Sequence, residues 1–97
     1  MTKEFSGKVA VVTGAGRNIG RAIALALAEG GASVLVNARS NRAEADAVAR
    51  EIESSGGKAF VHIGNVADAK AVQAMADAAT KAFGRIDILV NLSLIHI

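Results

Sequence analysis

The sequence predicts an α/β fold: a parallel four-stranded sheet in the order 3-2-1-4, flanked by three helices. Three observations predict it. Short β-branched runs alternate with longer stretches of helical period, in the order βαβαβαβ. The links between them are a few residues long, and the chain contains no proline. Each strand-helix-strand unit should therefore close as a right-handed crossover, and a reversal after the third strand sets the fourth beside the first. That reversal sends the first two helices to one face of the sheet and the third to the other.

The elements follow in order. The run "KVAVVTG" is short, β-branched and stopped by glycine, so it reads as a fully buried strand. From Ile19 to Glu29, the residues Ile19, Ala22, Ile23, Ala26 and Leu27 recur at helical spacing and are the expected apolar face. Gly30 and Gly31 end that helix. "SVLVNA" is the second strand. Asn41, with Glu44 three residues on, forms a capping box that opens a helix reaching about Ser55. Its apolar face is Ala45, Val48, Ala49 and Ile52. "SGGK" stops it, "KAFVHI" is the third strand, and Asp68 is placed to cap a long helix running to Phe83. Gly84 closes that helix, and "RIDILVN" is the fourth strand.

Composition narrows the function classes. The 97 residues allow one small domain, 52% apolar but only 3% aromatic, which suits alanine-rich helices packed closely on a sheet. With no cysteine there is no disulfide, thiolate metal site or thiol nucleophile, which fits a reducing compartment. The polar start "MTKEFSGK" does not read as a secretory signal, and no apolar run approaches the roughly 18–20 residues of a membrane span. Net charge is +2 with basic and acidic residues intermixed, so a basic nucleic-acid footprint is not expected. A soluble cytoplasmic chain is the expectation, with neither nucleic acid nor membrane as partner. His62 and His96 stand alone and suggest no metal site.

The stretch that carries chemistry is "VTGAGRNIGRAIA", between the first strand and the first helix. Gly14 lets the chain turn off the strand, and Gly16 leaves room where a pyrophosphate would approach. Gly20 lets the helix pack close to the sheet, and the helix N-terminus offers unpaired N–H groups to the phosphates. A glycine-rich turn alone is a weak signal, since a tight strand-to-helix loop needs glycine without any ligand. Its position at the head of a βαβ unit gives it weight. The fold class is thus a Rossmann-type parallel sheet, present in part.

Thr13 and Gly14, then Gly20 and an alanine-rich helix, resemble the short-chain dehydrogenase/reductase family, whose pattern is T-G-x-x-x-G-x-G. Asn18 replaces the middle glycine, and asparagine tolerates the left-handed conformation best after glycine. Extended members of the family carry a glycine where this chain has Arg17. "GNVAD" is similar to the segment after the third strand, where an aspartate commonly holds the adenine amino group; Asn65 and Val66 stand there. "GRIDILVN" is similar to the G-x-h-D-h-h-h-N-N-A-G motif, with Asp87 and Asn91 as residues that would steady the sheet near the cofactor. A plain solvent-facing carboxylate is the other reading of Asp87. The resemblance runs from Lys8 to Asn91. It implies a cofactor site formed by Thr13, Gly14, Gly16, Arg17, Asn18, Ile19, Gly20, Ala38, Arg39, Asn65, Val66 and Asn91, in a parent that is a homo-oligomer.

Cofactor choice in such a site is set at the end of the second strand. A carboxylate there accepts hydrogen bonds from the ribose hydroxyls and repels a 2′-phosphate, whereas a basic residue does the reverse. The expected acidic position is Ala38, Arg39 follows it, and Arg17 would lie on the same side of the adenosine. Two guanidiniums without a competing acid favour NADP(H) over NAD(H), arginine being the preferred phosphate fork. Solvated surface arginines are the plain alternative.

By the same resemblance, catalysis would come from a serine, a tyrosine and a lysine, the last two spaced Y-x-x-x-K. This chain has no tyrosine, so no catalytic residue is assigned and the chain alone is expected to be inactive. After Asn91 the motif should continue with a second asparagine, but "LSLIHI" follows, which one frame of a common sequencing-library transposon adaptor end would encode. Residues 1–91 are therefore expected to be the N-terminal part of a dinucleotide-binding domain, and 92–97 a non-native tail. Without a fifth strand, Leu89, Val90 and the faces of strands one and four should stay partly wet, an edge that favours association. The expected parent passes hydride between NADP(H) and a carbonyl or alcohol, with a 3-oxoacyl thioester as the narrower reading. A non-catalytic NADP-sensing module on the same half-fold is the alternative.

Overall fold

Four strands and three helices alternate along the chain in a computed structural model that describes residues 4–14, 18–64 and 69–90, with the backbone alone for Asn18. They are β1 (Val9–Val12), α1 (Asn18–Glu29), β2 (Ser33–Ala38), α2 (Arg42–Ser54), β3 (Lys58–Ile63), α3 (Ala69–Phe83) and β4 (Ile88–Val90). All strand pairs are parallel and the order is β3-β2-β1-β4, as the alternation predicts.

Each helix boundary has a local cause. The Asn41 side chain accepts the Glu44 N–H at 3.1 Å, meeting one of the free donors at the start of α2. Asp68, the expected cap of α3, lies outside the described residues. α1 stops because Gly31 takes φ 103°, and the Ala32 N–H then turns back to the Leu27 carbonyl at 3.0 Å. Phe5 lies over this end of α1: its N–H donates to the Gly30 carbonyl at 2.8 Å, and a methyl group at position 30 would collide with its ring.

Two apolar layers hold the sheet. On one face Ala10, Val12, Val34, Val36 and Ala38 meet Ala24 and Ala28 of α1 and Ala45, Val48 and Ile52 of α2. On the other, Val11 and Leu35 meet Met75 and Ala79 of α3. The first two helices therefore share a face and the third takes the opposite one, as right-handed crossovers require. The expected apolar face of α2 (Ala45, Val48, Ala49, Ile52) is the buried one. An exposed fork from Arg21 to Glu51, with contacts of 2.6–3.0 Å, ties α1 to α2 and is worth at most about 1 kcal/mol.

Three expectations are corrected. In α1, Ile19 is 70% exposed and Ala22 and Ala26 are also exposed, while Gly20, Ala24 and Ala28 face the core. Small residues at a spacing of four let this helix lie close to the sheet, and its larger apolar side chains flank the contact. β1 is buried from Val9 to Val12, because helices cover it from both sides, so of these two strands β4 alone stays wet: Leu89 is 57% exposed and Val90 half-buried. β4 itself is shorter than "RIDILVN", with Arg85 and Ile86 outside the ladder.

Asp87 does steady the sheet, but from the end opposite the glycine loop. Its Oδ2 accepts the Val9 N–H at 2.8 Å, its own N–H donates to the Val9 carbonyl at 2.8 Å, and Arg85 grips Oδ1 at 2.6 Å. Val9 begins β1 and the loop leaves its far end, roughly 10 Å away at a rise of about 3.3 Å per residue. The Val9 N–H, first among the causes, holds the carboxyl below the usual aspartate value; desolvation opposes it and Arg85 adds to it. A carboxyl whose pKa is depressed on folding stabilises the fold above its unfolded value, near pH 4, and that contribution is lost as pH falls through the folded value. Asp87→Asn is therefore expected to lower the melting temperature at pH 7, with the gap from wild type closing as pH falls below about 4. Thermal melts across that range check it, and a gap that stays constant would show that the charge plays no part.

Candidate functional site

The C-terminal ends of β1 and β2, where the chain leaves adjacent strands toward α1 and α2, are the candidate site. The register pairs Val12 with Val36, so Gly14 and Ala38 leave neighbouring strands two residues beyond that pair. Adjacent strands lie about 4.8 Å apart. Gly14, the start of α1 and the residue after β2 therefore lie at one end of the sheet.

Thr13 closes β1. It is 3% exposed, its N–H donates to the Val90 carbonyl at 3.0 Å, and its hydroxyl reaches the same carbonyl at 3.4 Å. Threonine here anchors the loop to the sheet. Gly14 follows at φ 62°, a conformation that costs an L side chain roughly 1–2 kcal/mol, so glycine at this position has a backbone reason. The helix then opens at Asn18 with no acidic residue in its first turn, which leaves the positive end of the dipole uncancelled by an adjacent carboxylate. Gly20 is buried, and Ile19 points to solvent.

On the β2 side, Ala38 is 6% exposed and its carbonyl accepts the Gly64 N–H at 2.9 Å. Arg39 is exposed and forms no ion pair with a described residue. No carboxylate stands at position 38 to compete with it.

The structure thus brings Thr13, Gly14, the α1 start from Asn18 to Gly20, Ala38 and Arg39 to one end of the sheet. Gly16, Arg17, Asn65, Val66 and Asn91 lie outside the described residues, as does the tail 92–97. Sequence reasoning passed over Asn37, a buried amide whose Nδ2 lies 3.1 Å from Nδ1 of His62. The signal was present, because Asn37 is the one polar residue within "VLVNA". His62 is accordingly not a lone histidine but one half of a pair.

A glycine at positive φ, a helix start bare of acid and an arginine just past the next strand, in no ion pair with a described residue, suit an anionic nucleotide. The family comparison agrees with that arrangement. The short chain dehydrogenase family model matches residues 8–93. An uncharacterized oxidoreductase of Methylorubrum extorquens is 48% identical over 93 residues, covering 96% of this chain and 38% of that protein. A 3-oxoacyl-[acyl-carrier-protein] reductase of Staphylococcus aureus is 49% identical over 84 residues, covering 87% of this chain and 34% of that one. Among solved structures, a dehydrogenase/reductase from Sinorhizobium meliloti superposes with a TM-score of 0.91 at 39% identity, over 97% of this chain and 37% of that one. A hydroxysteroid dehydrogenase from Escherichia coli gives 0.86 at 40% identity, over 92% of this chain and 37% of the other. The chain spans little more than a third of the length of these relatives. Its matched residues, sheet order and glycine turn place it in one family: the chain belongs to the short chain dehydrogenases.

Proposed function

We propose that this chain is the cofactor-binding part of an oxidoreductase that passes hydride between NADP(H) and a carbonyl or alcohol substrate. The observation that carries the reading is the left-handed Gly14 between a buried strand and an acid-free helix start, with Arg39 beside it. The residues fit the group. Gly14 and the α1 N–H groups would receive the pyrophosphate, with Thr13 holding the turn. Arg39 would hold the 2′-phosphate as a charge-assisted fork, joined by Arg17. Asn65 and Val66 would line the adenine, and Gly16, Asn18, Ile19, Gly20, Ala38 and Asn91 would complete the site. When bound, the nicotinamide supplies or accepts the hydride.

What the chain itself contributes is binding and orientation. It has no tyrosine, so the phenol that the family resemblance implies as the proton donor must come from elsewhere in the parent. The relatives that reduce 3-oxoacyl groups on a carrier protein support a 3-oxoacyl thioester as substrate class. A small-molecule substrate in a homo-oligomeric, cytoplasmic parent accords with this; among the described residues no helix is long and apolar enough to cross a membrane.

The purified chain is expected to bind NADPH weakly and to oxidise none of it when offered a 3-oxoacyl thioester. Fluorescence titration and the loss of NADPH absorbance measure the two. Turnover that disappears in the Arg39→Asp variant would overturn the division of labour. Recovery of the full reading frame tests the rest: a downstream Tyr-x-x-x-Lys supports the oxidoreductase, and its absence supports the sensing module.

A further inference from the structure

β2 is apolar from Val34 to Ala38 except at Asn37, which is 1% exposed. A buried amide persists in a strand only when its donors are met. Asn37 Nδ2 donates to the His62 carbonyl at 3.1 Å and to the Gly64 carbonyl at 3.3 Å. Two carbonyl acceptors fix the amide with its NH₂ toward β3, since the amide oxygen would be repelled there. The His62 ring lies against the same NH₂, its Nδ1 3.1 Å from Asn37 Nδ2.

These contacts form a clasp. The Gly64 N–H returns a bond of 2.9 Å to the Ala38 carbonyl, so the chain just past β3 is held to the end of β2 at both its N–H and its carbonyl. The His62 ring fills the place of a side chain at 64, where a Cβ would meet its Cε1 at 3.2 Å. On one side of the clasp the chain runs directly into Arg39, and on the other into Asn65 and Val66.

We infer that Asn37 is a positioning residue for the adenosine end of the cofactor, holding the segment that enters Asn65 and Val66 beside Arg39. The inference rests on the dinucleotide reading given above. Asn37 touches no ligand in this role; it holds Gly64, the residue before Asn65, to the end of β2, the strand that Arg39 follows. A purely structural Asn37 would affect stability while treating every part of the ligand alike.

Isothermal titration of the 97-residue chain, below the melting temperature of each variant, separates the two. The probes are 2′,5′-ADP, which occupies only the adenosine end, and inorganic pyrophosphate, which occupies only the glycine loop. Asn37→Leu keeps the side chain's size and removes its donors, and should weaken 2′,5′-ADP roughly tenfold while pyrophosphate stays within about twofold. Asn37→Ser is smaller and lets water reach the two carbonyls. It should show the same selective loss to a lesser degree, and is the variant to read if Asn37→Leu does not fold. An equal loss for both probes, or none, overturns the inference while wild-type binding upholds the site. Wild type that binds no 2′,5′-ADP overturns the site and the inference together.

Discussion

Leu35→Ala is expected to remove cooperative melting from this chain. Leu35 is fully buried in β2 and heads the largest fully buried side chains. It packs with Val11 against Met75 and Ala79, so it carries much of the contact between the sheet and α3. Truncating a buried leucine costs roughly 2–5 kcal/mol, through lost transfer energy and the cavity left behind. The whole stability of an ordinary domain is about 5–15 kcal/mol, and a small sheet with an open edge belongs at the bottom of that range. Alanine next to that cavity, at 79, offers little that could collapse into it. Leu89→Ala is the matched control: at 57% exposure it should cost less than about 1 kcal/mol. Urea titrations of both variants give the comparison, and similar midpoints would mean that α3 is not docked as described.

Arg39→Asp is expected to weaken NADPH by roughly fivefold to 150-fold, the 1–3 kcal/mol range of a lost charge-assisted contact. NADH should weaken far less, because the new carboxylate can accept from the ribose hydroxyls that NADH presents. The wild-type guanidinium has no ion-pair partner among the described residues, so the substitution leaves no orphaned acid to confuse the result. Titration of both cofactors into both proteins decides it. Equal weakening of the two, or no change in either, would remove Arg39 from the site.

How far the sequence could be read differs from element to element, for physical reasons. α2 was legible at both its start and its buried face, because polar and apolar residues alternate in it and a capping asparagine marks its entry. α1 was legible as a helix but not as to which side faces inward. In "NIGRAIALALAE" only Asn18, Arg21 and Glu29 are polar, so periodicity had almost nothing to contrast. Strand order followed from alternation and crossover handedness, which need no side-chain detail. Near the candidate site, the positive φ of Gly14 was legible because it depends on the local turn alone. Asn37 was not, since its partners His62 and Gly64 are 25 and 27 residues away in sequence. The position of Asp87 was misplaced for the same reason, its partner Val9 being 78 residues distant.

β4 offers only Ile88–Val90 to the ladder, opposite Ala10, Val11 and Val12. So short a strand has little with which to fix its alignment. A slip of one residue would exchange its faces and turn Leu89 toward α1 and α2, which the apolar pattern resists. A slip of two residues keeps every face in phase, and apolarity alone does not resist it. It would, however, bring Arg85 or Leu89 opposite the Val9 N–H in place of the Asp87 carboxylate, and part the Thr13 hydroxyl from the Val90 carbonyl. The strand's alignment is thus specified by one carboxylate at the bottom and one hydroxyl at the top, information that three interchangeable apolar residues do not hold.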